Sequence, residues 1–320
     1  MDVPYTINRT LQIIPVVFGI LIMSFLLIHA APGDPIVMFL GEGASDPVFE
    51  AKIRQQLGLD RPLYEQLFFY LQGVLTGDLG TSFHQGRTVL DLILDRAVPT
   101  IVLMGSSIIF GTLMGIFMGV YAATKPYAMR DNVTIIASLI FFSLPNFWLG
   151  QMLILIFSVG LGLLPAAGMH SFMVPDDQFW IDRILHLILP TITLGSTLGA
   201  FVARFVRTSM IEALSQDYIL TARAKGLSNH AIFYVHALRN ALLPVVTYIG
   251  LRIGYMLSGA VVIESVFGWP GLGLLMIDAL FDRDYPLILG MFILVSLSVT
   301  IVTFLVDILY FHLDPRIRLQ

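Results

Sequence analysis

Apolar runs of about 20 residues recur along this chain and strongly limit what it can fold into. The first run extends from Leu11 to Ala30. Twenty helical residues with a rise of about 1.5 Å each span about 30 Å, which is the thickness of the hydrocarbon core of a bilayer. A secretory signal peptide is the alternative, but its apolar region is usually only about 7–15 residues long. We interpret the run as a retained transmembrane helix.

Five further apolar runs follow the first. They lie at residues 99–123, 133–161, 187–206, 242–266 and 287–310. Of the 320 residues, 57% are hydrophobic and only 12% are charged, whereas soluble proteins carry about 25% charged residues. The absence of cysteine excludes disulfide and thiolate chemistry. The sequence therefore predicts an all-α polytopic membrane protein with six transmembrane helices.

Basic residues are distributed unequally between the two predicted faces of the membrane, and short cytoplasmic loops are enriched in lysine and arginine. One face carries the basic residues of both termini and of the short loops, namely Arg9, Lys125, Arg130, Arg204, Arg207, Arg223, Lys225, Arg239, Arg316 and Arg318. The other face carries Lys52, Arg54, Arg61, Arg87, Arg96, Arg183 and Arg283, mostly in one long loop. This distribution predicts a cell-membrane protein with cytoplasmic N- and C-termini.

The segment between the first and second spans, residues 31–97, is too polar to cross a membrane and has helical signals. Asp46-Pro47 can begin a helix that Gly58 ends. A second set of residues recurs at helical spacing, namely Leu63, Leu67, Tyr70, Leu71 and Val74. We predict a small external helical element here. The chain then divides into residues 1–30, this external segment, and a core membrane domain over residues 98–320.

The longest predicted cytoplasmic loop, residues 208–240, has the pattern of two short helices joined at Gly226. Ser215 or Asp217 can cap the first helix, and Gly226 can adopt the left-handed conformation after it. Ser228 or Asn229 can cap the second helix. The sequence therefore predicts a helix–turn–helix loop.

Small and basic residues alternate before that glycine. Ala222 and Ala224 would allow the backbone of a partner to approach, while Arg223 and Lys225 could contact its acidic groups. An ordinary basic loop that follows the distribution of positive charge in membrane proteins explains the same residues. Both interpretations remain open on physical grounds alone.

A family resemblance rests on DYILTARAKGL at residues 217–227 and HALRNALLP at residues 236–244. Together they resemble the cytoplasmic loop of ABC importer permeases in the dipeptide, oligopeptide and nickel branch. The general signature of such permeases is E-A-A, three residues, Gly, nine residues and I-x-L-P. Set on Gly226, its first three positions hold Leu220, Thr221 and Ala222, and its last four run from His236 to Arg239. The Glu and Pro are therefore absent, and the TARAKG form is similar to that of the peptide branch.

Other segments extend the resemblance over nearly the whole chain. In order, they are APGDP at 31–35, LGLDRPLYEQ at 57–66, GDLGTS at 77–82, SLPNFWLG at 143–150, LLPAAG at 163–168, ESVFGWPGLG at 264–273, RDYP at 283–286 and VDILYFHLDPRIR at 306–318. Each is weak alone, and their shared order and spacing make the resemblance specific.

The resemblance implies the fold of a type I ABC importer permease and a role in ATP-driven, binding-protein-dependent import by alternating access. The expected partners are a second homologous permease in a heterodimer, two cytoplasmic ATPase subunits, an external substrate-binding protein and membrane lipid, with no nucleic acid. ATP and Mg²⁺ would bind the ATPase subunits. This chain has no G-x-x-x-x-G-K-[ST] phosphate loop, and we expect it to be no enzyme and to hold no cofactor or metal. Di- or oligopeptides are the expected substrates, with nickel chelate, glutathione or a sugar as alternatives.

The resemblance also assigns the ATPase-coupling contact to one stretch of the loop. The residues are Asp217, Tyr218, Thr221, Ala222, Arg223, Ala224, Lys225, Gly226 and Leu227. Within the fifth span, Arg252 is costly unless it faces water or an opposite charge. It either lines the translocation cavity or makes an internal ion pair or cap. His29 and Glu264 lie at outer ends of spans, and we predict that both are interfacial.

Two other classes of protein compete with this interpretation. A proton-coupled secondary transporter would need acidic groups deep within several spans, and here the acids lie in loops or near span ends. An intramembrane enzyme would need a nucleophile and a base within spans.

In the second span, Gly111, Gly115 and Gly119 permit close helix packing. For these glycines we favour packing inside the subunit over a contact between subunits.

Overall fold

Helices form most of the described part of the chain, and the prediction of an all-α protein is confirmed. This computed structural model describes residues 3–30, 55 and 60–313, with backbone alone at residues 3–13, 251–259, 305–313 and a few other helical positions. The α-helices are α1 (Val3–Ala30), α2 (Leu63–Thr76), α3 (Val89–Ala123), α4 (Met129–Ser143), α5 (Asn146–Leu153), α6 (Phe179–Leu214), α7 (Asp217–Ala224), α8 (Leu238–Val266), α9 (Leu272–Phe281) and α10 (Tyr285–Leu313). Two π-helical segments, Ile154–Gly160 and Ala231–Ala237, follow α5 and precede α8.

Three helices within the described residues are long and apolar enough to cross a membrane, namely α3, α6 and residues 285–304 of α10. The bent pair formed by α4 and residues 146–160 would add a fourth. Predicted spans one and five lie within α1 and α8. The side chains of these two helices are described only in part. The number of six spans stays a prediction. Helices α3 and α6, with 35 and 36 residues, exceed the roughly 20 that a bilayer requires.

The segment predicted to be external, residues 31–97, contains one of its two predicted helices within the described residues. Helix α2 begins after Pro62 and ends at Gly77, whose φ of +82° closes the last turn. Its Tyr70 ring lies 5.6 Å from that of Phe25 in α1, and burial raises the pKa of Tyr70 to about 12. The Nε2 atom of His29 lies 3.1 Å from Oε1 of Gln66. The predicted helix from Asp46 to Gly58 lies outside the described residues.

The third predicted span is a sharply broken helix rather than one continuous rod. Helix α4 ends before Leu144, which is extended at φ −74° and ψ 128°. The residue before a proline is disfavoured in the helical region, and Pro145 here opens α5. The two halves meet at an angle of 101°.

The three glycines of α3 pack against α6 of the same chain. A Cβ atom at Gly111 would lie 2.5 Å from the carbonyl oxygen of Gly195, and one at Gly115 would lie 2.7 Å from that of Gly199. One at Gly119 would lie 2.6 Å from the carbonyl oxygen of Ala203. Real Cβ atoms do not approach so closely, so only glycine fits at these positions. The favoured prediction of packing inside the subunit is confirmed.

Contacts divide the chain into two compact units. One comprises Met1–Val98 with Leu275–Phe304, and the other comprises Pro99–Leu274 with Leu305–Gln320. The main buried cluster lies in the second unit and includes Leu103 of α3, Val202 and Met210 of α6, and Phe267 and Trp269 after α8. This second unit also contains the 208–240 loop.

Candidate functional site

The turn at Gly226 is closed by backbone hydrogen bonds after α7. The Gly226 N–H donates to the Arg223 carbonyl at 2.9 Å, and the Leu227 N–H donates to the Ala222 carbonyl at 3.3 Å. These two bonds, with a left-handed residue between them, form a Schellman motif. Gly226 has a φ of +77°, as the sequence predicts, and no heavy atom lies within 4 Å of where its Cβ would be. The glycine is therefore required by backbone conformation and not by crowding within this chain.

The start of α7 differs from the predicted cap. Gln216 occupies the N-cap position and makes no side-chain cap hydrogen bond. Asp217 is the first helical residue, and the Ser215 hydroxyl donates to the Glu212 carbonyl at 2.8 Å. The prediction that Ser215 or Asp217 caps this helix is wrong, because the serine bonds back into α6 and the aspartate enters the helix. At the second helix, Ser228 Oγ accepts from the Ala231 N–H at 3.3 Å, as predicted.

One face of α7 is buried against the chain itself. Ile219 is 0% exposed and Ala222 is 6% exposed, one turn further along the helix. Both belong to the main buried cluster, together with Ile232 and Ala237 of the following π-helical segment. The small side chain of Ala222 therefore serves packing inside this chain, whereas it was considered for the approach of a partner. The loop is anchored to the core through this face.

The rest of the predicted coupling stretch is on the surface. Eight of its nine residues are exposed, namely Asp217, Tyr218, Thr221, Arg223, Ala224, Lys225, Gly226 and Leu227. Large apolar side chains are exposed beside them, with Leu220 at 61%, Val235 at 58% and Tyr234 at 48%. An exposed surface that combines apolar and basic side chains suits contact with another protein. The periodicity of an α-helix did not identify Tyr234 and Val235 as surface residues, because they lie in a π-helical segment.

A buried ion pair lies at the base of the loop. Arg207, near the end of α6, donates through Nε at 2.5 Å and through Nη2 at 2.7 Å to the two carboxylate oxygens of Asp131 in α4. The Asp131 side chain is 0% exposed and that of Arg207 is 18% exposed. In the sequence, Arg207 was counted only among the basic residues of one predicted membrane face. Its partner was not identified, because Asp131 lies 76 residues away in the chain.

Arg252, the other site residue considered, lies within α8. Its side chain is outside the described part of the structure. Its role in a translocation cavity stays a prediction.

The far end of α8 holds a buried polar network that the sequence did not predict. Glu264 is 0% exposed, so its carboxylate lies inside the protein, and its position at the membrane interface stays a prediction. Its carboxylate accepts from the Thr100 hydroxyl at 2.6 Å, from the Gly273 N–H at 2.6 Å and from the Leu274 N–H at 3.1 Å. A Cβ atom at Gly271 would collide with this carboxylate. Glu264 thus caps the start of α9, where backbone N–H groups lack helical partners.

The geometry of the 208–240 loop offers a surface for binding another protein. Among the described residues, no group of three or more His, Asp or Glu side chains could hold a metal ion. The exposed part of the loop presents basic, apolar and backbone groups on a helix that is fixed to the core beneath it. Such a surface can transmit a displacement imposed by a partner.

Two family models match successive parts of the chain. The model described as "Binding-protein-dependent transport system inner membrane component" matches residues 111–319. The model described as "Binding-prot-dependent transport system membrane comp, N-term" matches residues 3–104. The first alone covers more than half of the chain.

Curated relatives match along their whole length. The chain is 41% identical over 333 aligned residues to the dipeptide transport system permease protein DppB of Escherichia coli strain K12, covering 98% of each chain. It is 41% identical over 314 aligned residues to the glutathione transport system permease protein GsiC of Escherichia coli O6:H1, again covering 98% of each.

Solved structures agree with the fold. An inward-facing structure of the MetNI methionine ABC transporter matches with a TM-score of 0.54 at 18% identity, over 70% of this chain and 97% of the other. An amino acid ABC transporter crystallised with histidines matches with a TM-score of 0.53 at 16% identity, over 70% of this chain and 94% of the other. The chain belongs to the family of binding-protein-dependent transport system inner membrane components, and it is the multi-pass permease subunit of an ABC importer rather than an enzyme.

Proposed function

We propose that this permease subunit carries peptides into the cell by alternating access. The observation that carries this proposal is the equal identity, 41% over 98% of the chain, to two permeases named for a dipeptide and for glutathione. Glutathione is itself a tripeptide, so both names describe short peptides with free carboxylates. A nickel chelate or a sugar is the alternative cargo.

The 208–240 loop is proposed as the contact with a cytoplasmic ATPase subunit. Its support is the combination described above: Ile219 and Ala222 anchor α7 to the core, while Arg223, Lys225 and Leu227 remain exposed. Such a partner would bind ATP and Mg²⁺, and its closure would displace the loop. The displacement would then change which side of the membrane the permease opens to.

The proposed complex contains a second, homologous permease, two ATPase subunits and an external substrate-binding protein. The binding protein would deliver the peptide, and Arg252 within α8 is proposed to meet an anionic end of the cargo. Both chain termini and the 208–240 loop would face the cytoplasm.

The cargo is tested with the substrate-binding protein of the proposed complex. The purified protein should retain di- or tripeptides, and the reconstituted complex should accumulate them in an ATP-dependent manner. Retention of a nickel chelate or a sugar, with no uptake of peptides, would replace the proposed cargo while leaving the importer class intact.

Orientation is tested in this cysteine-free chain by introducing single cysteines. Asp60→Cys, in the external segment, should react with an impermeant maleimide added to intact cells. Ser228→Cys, in the proposed cytoplasmic loop, should react only after the membrane is opened. Both positions are exposed in the structure. The reversed pattern would overturn the proposed orientation.

A further inference from the structure

We propose that the Asp131–Arg207 ion pair joins α4 and the end of α6 into one lever that moves with the 208–240 loop. Asp131 and Arg207 would then be positioning residues for coupled transport. This inference rests on the proposed docking of the loop, and it concerns what happens after docking.

The ion pair has the geometry of a rigid link. Both guanidinium bonds, at 2.5 and 2.7 Å, reach different oxygens of one carboxylate, and a two-point contact fixes orientation as well as distance. The Tyr127 N–H donates to the same carboxylate at 2.7 Å. Tyr127 itself has a φ of +64°, a conformation that is uncommon outside glycine. The Asp131 carboxylate therefore fixes the turn before α4 as well as the helix.

Arg207 is mechanically continuous with the loop. It lies in α6, which runs on to Leu214 directly before α7. Beyond it, Met210 and Ala213 of α6 are 0% and 8% exposed and share the main buried cluster with Ile219 of α7. Because packed cores resist deformation, a displacement of α7 must be carried to the end of α6 and hence to Arg207.

Helix α4 contacts α6 near both of its ends, and it stops at a sharp break before α5. Near its far end, the Arg204 guanidinium lies 5.0 Å from the centroid of the Phe142 ring. Between the two contacts, Thr134 and Ser138 are 8% and 0% exposed, and their hydroxyls donate to carbonyls within α4. At Leu144 the helix stops and the chain bends by 101°. The break is the place where α4 can pivot relative to α5.

The test uses the complete importer, reconstituted with its binding protein, and the variant Asp131→Asn. We expect basal ATP hydrolysis to persist while substrate moved per ATP falls by about fivefold, within the range by which positioning residues modulate coupling. Arg207→Lys keeps the charge and loses the two-point contact, so it should show a smaller fall. Lys125→Gln, an exposed cation in the preceding turn, is the control and should leave the ratio unchanged.

A distance measurement separates a lever from a merely stabilising pair. Spin labels on cysteines at Met129 and Ser215, both exposed, should keep one distance before and after trapping the ATPase with vanadate. In Asp131→Asn this distance should broaden or shift on trapping. If Asp131→Asn does not assemble, the same two measurements on Arg207→Lys decide the question.

Two results would overturn the lever. One is an unchanged ratio of transport to hydrolysis with an unchanged label distance in the ion-pair variants. The other is a fall in transport and hydrolysis by the same factor, in proportion to assembled complex. Failure of the docking proposal looks different, because substitutions on the exposed side of the loop, such as Arg223→Glu combined with Lys225→Glu, would then leave transport and hydrolysis unchanged in a complex whose ion pair is intact.

Discussion

The loops before and after α8 are held in opposite ways. In the loop before it, the Gly226 turn is closed by backbone bonds, and its Cβ direction is open. At its end, the turn into α9 is closed around the buried carboxylate of Glu264, which collides with any side chain placed at Gly271. The first loop keeps its side chains free for another protein, whereas the second uses its own to stabilise the fold. Substitutions should therefore affect coupling at one end and stability at the other.

The largest expected effect is the loss of stability in Glu264→Ala. It leaves the Thr100 hydroxyl and the Gly273 and Leu274 N–H groups without this acceptor. Each buried donor that loses its acceptor costs about 1–3 kcal/mol, so we expect the free energy of unfolding to fall by about 3 kcal/mol or more. Thermal unfolding of the detergent-purified complex measures it.

Glu212→Ala is the matched control for that experiment, since Glu212 is an exposed glutamate within residues 208–240. It should leave the unfolding temperature nearly unchanged. Equal effects of the two substitutions would remove the distinction between the ends of α8.

An intermediate effect is expected at Gly226, and it should appear in transport. The Cβ atom of Gly226→Val would meet no neighbour within 4 Å, but the φ of +77° costs a non-glycine residue about 1–2 kcal/mol. We expect the complex to assemble while uptake is lost, because the turn shifts at the proposed docking surface. Uptake assays with quantified complex in the membrane measure both.

Gly226→Asn refines this prediction, because asparagine tolerates the left-handed conformation better than other side chains. It should retain most of the uptake. Normal uptake in Gly226→Val, or equal loss in both variants, would show that backbone conformation is not what this position contributes.

The smallest expected effect is that of charge reversal on the exposed side of α7. Arg223→Glu combined with Lys225→Glu should reduce the stimulation of hydrolysis by loaded binding protein, by about two- to fivefold, since exposed ion pairs contribute little. The comparison is hydrolysis by the reconstituted complex with and without that protein. If the binding protein stimulates hydrolysis equally in the variant and the wild type, Arg223 and Lys225 are not part of the docking contact. The contact would then consist of the apolar and backbone groups of the loop.

The sequence by itself determined the class of the protein and the type of its main elements. Apolar runs of membrane-spanning length require helices because backbone groups in a bilayer must be satisfied within the segment, and the described part of the structure is mostly helical. The left-handed turn at Gly226 was also predictable, since its cause is local: a glycine directly follows a helical pattern. The close packing of Gly111 and Gly115 was predictable for a different reason, because glycines four residues apart allow a neighbouring helix to approach.

The tertiary structure alone decided which polar groups meet. Asp131 and Arg207 are separated by 76 residues, and Thr100 and Glu264 by 164. Local periodicity carries no information about such pairs. Near the end of a span, Glu264 has the sequence environment of an interfacial residue, and only the folding of α9 back onto it supplies the N–H groups that make burial stable. Likewise, Ala222 and Ala224 look alike in the sequence, and the packing of α7 on Ile232 decided that one faces the core and the other faces outward.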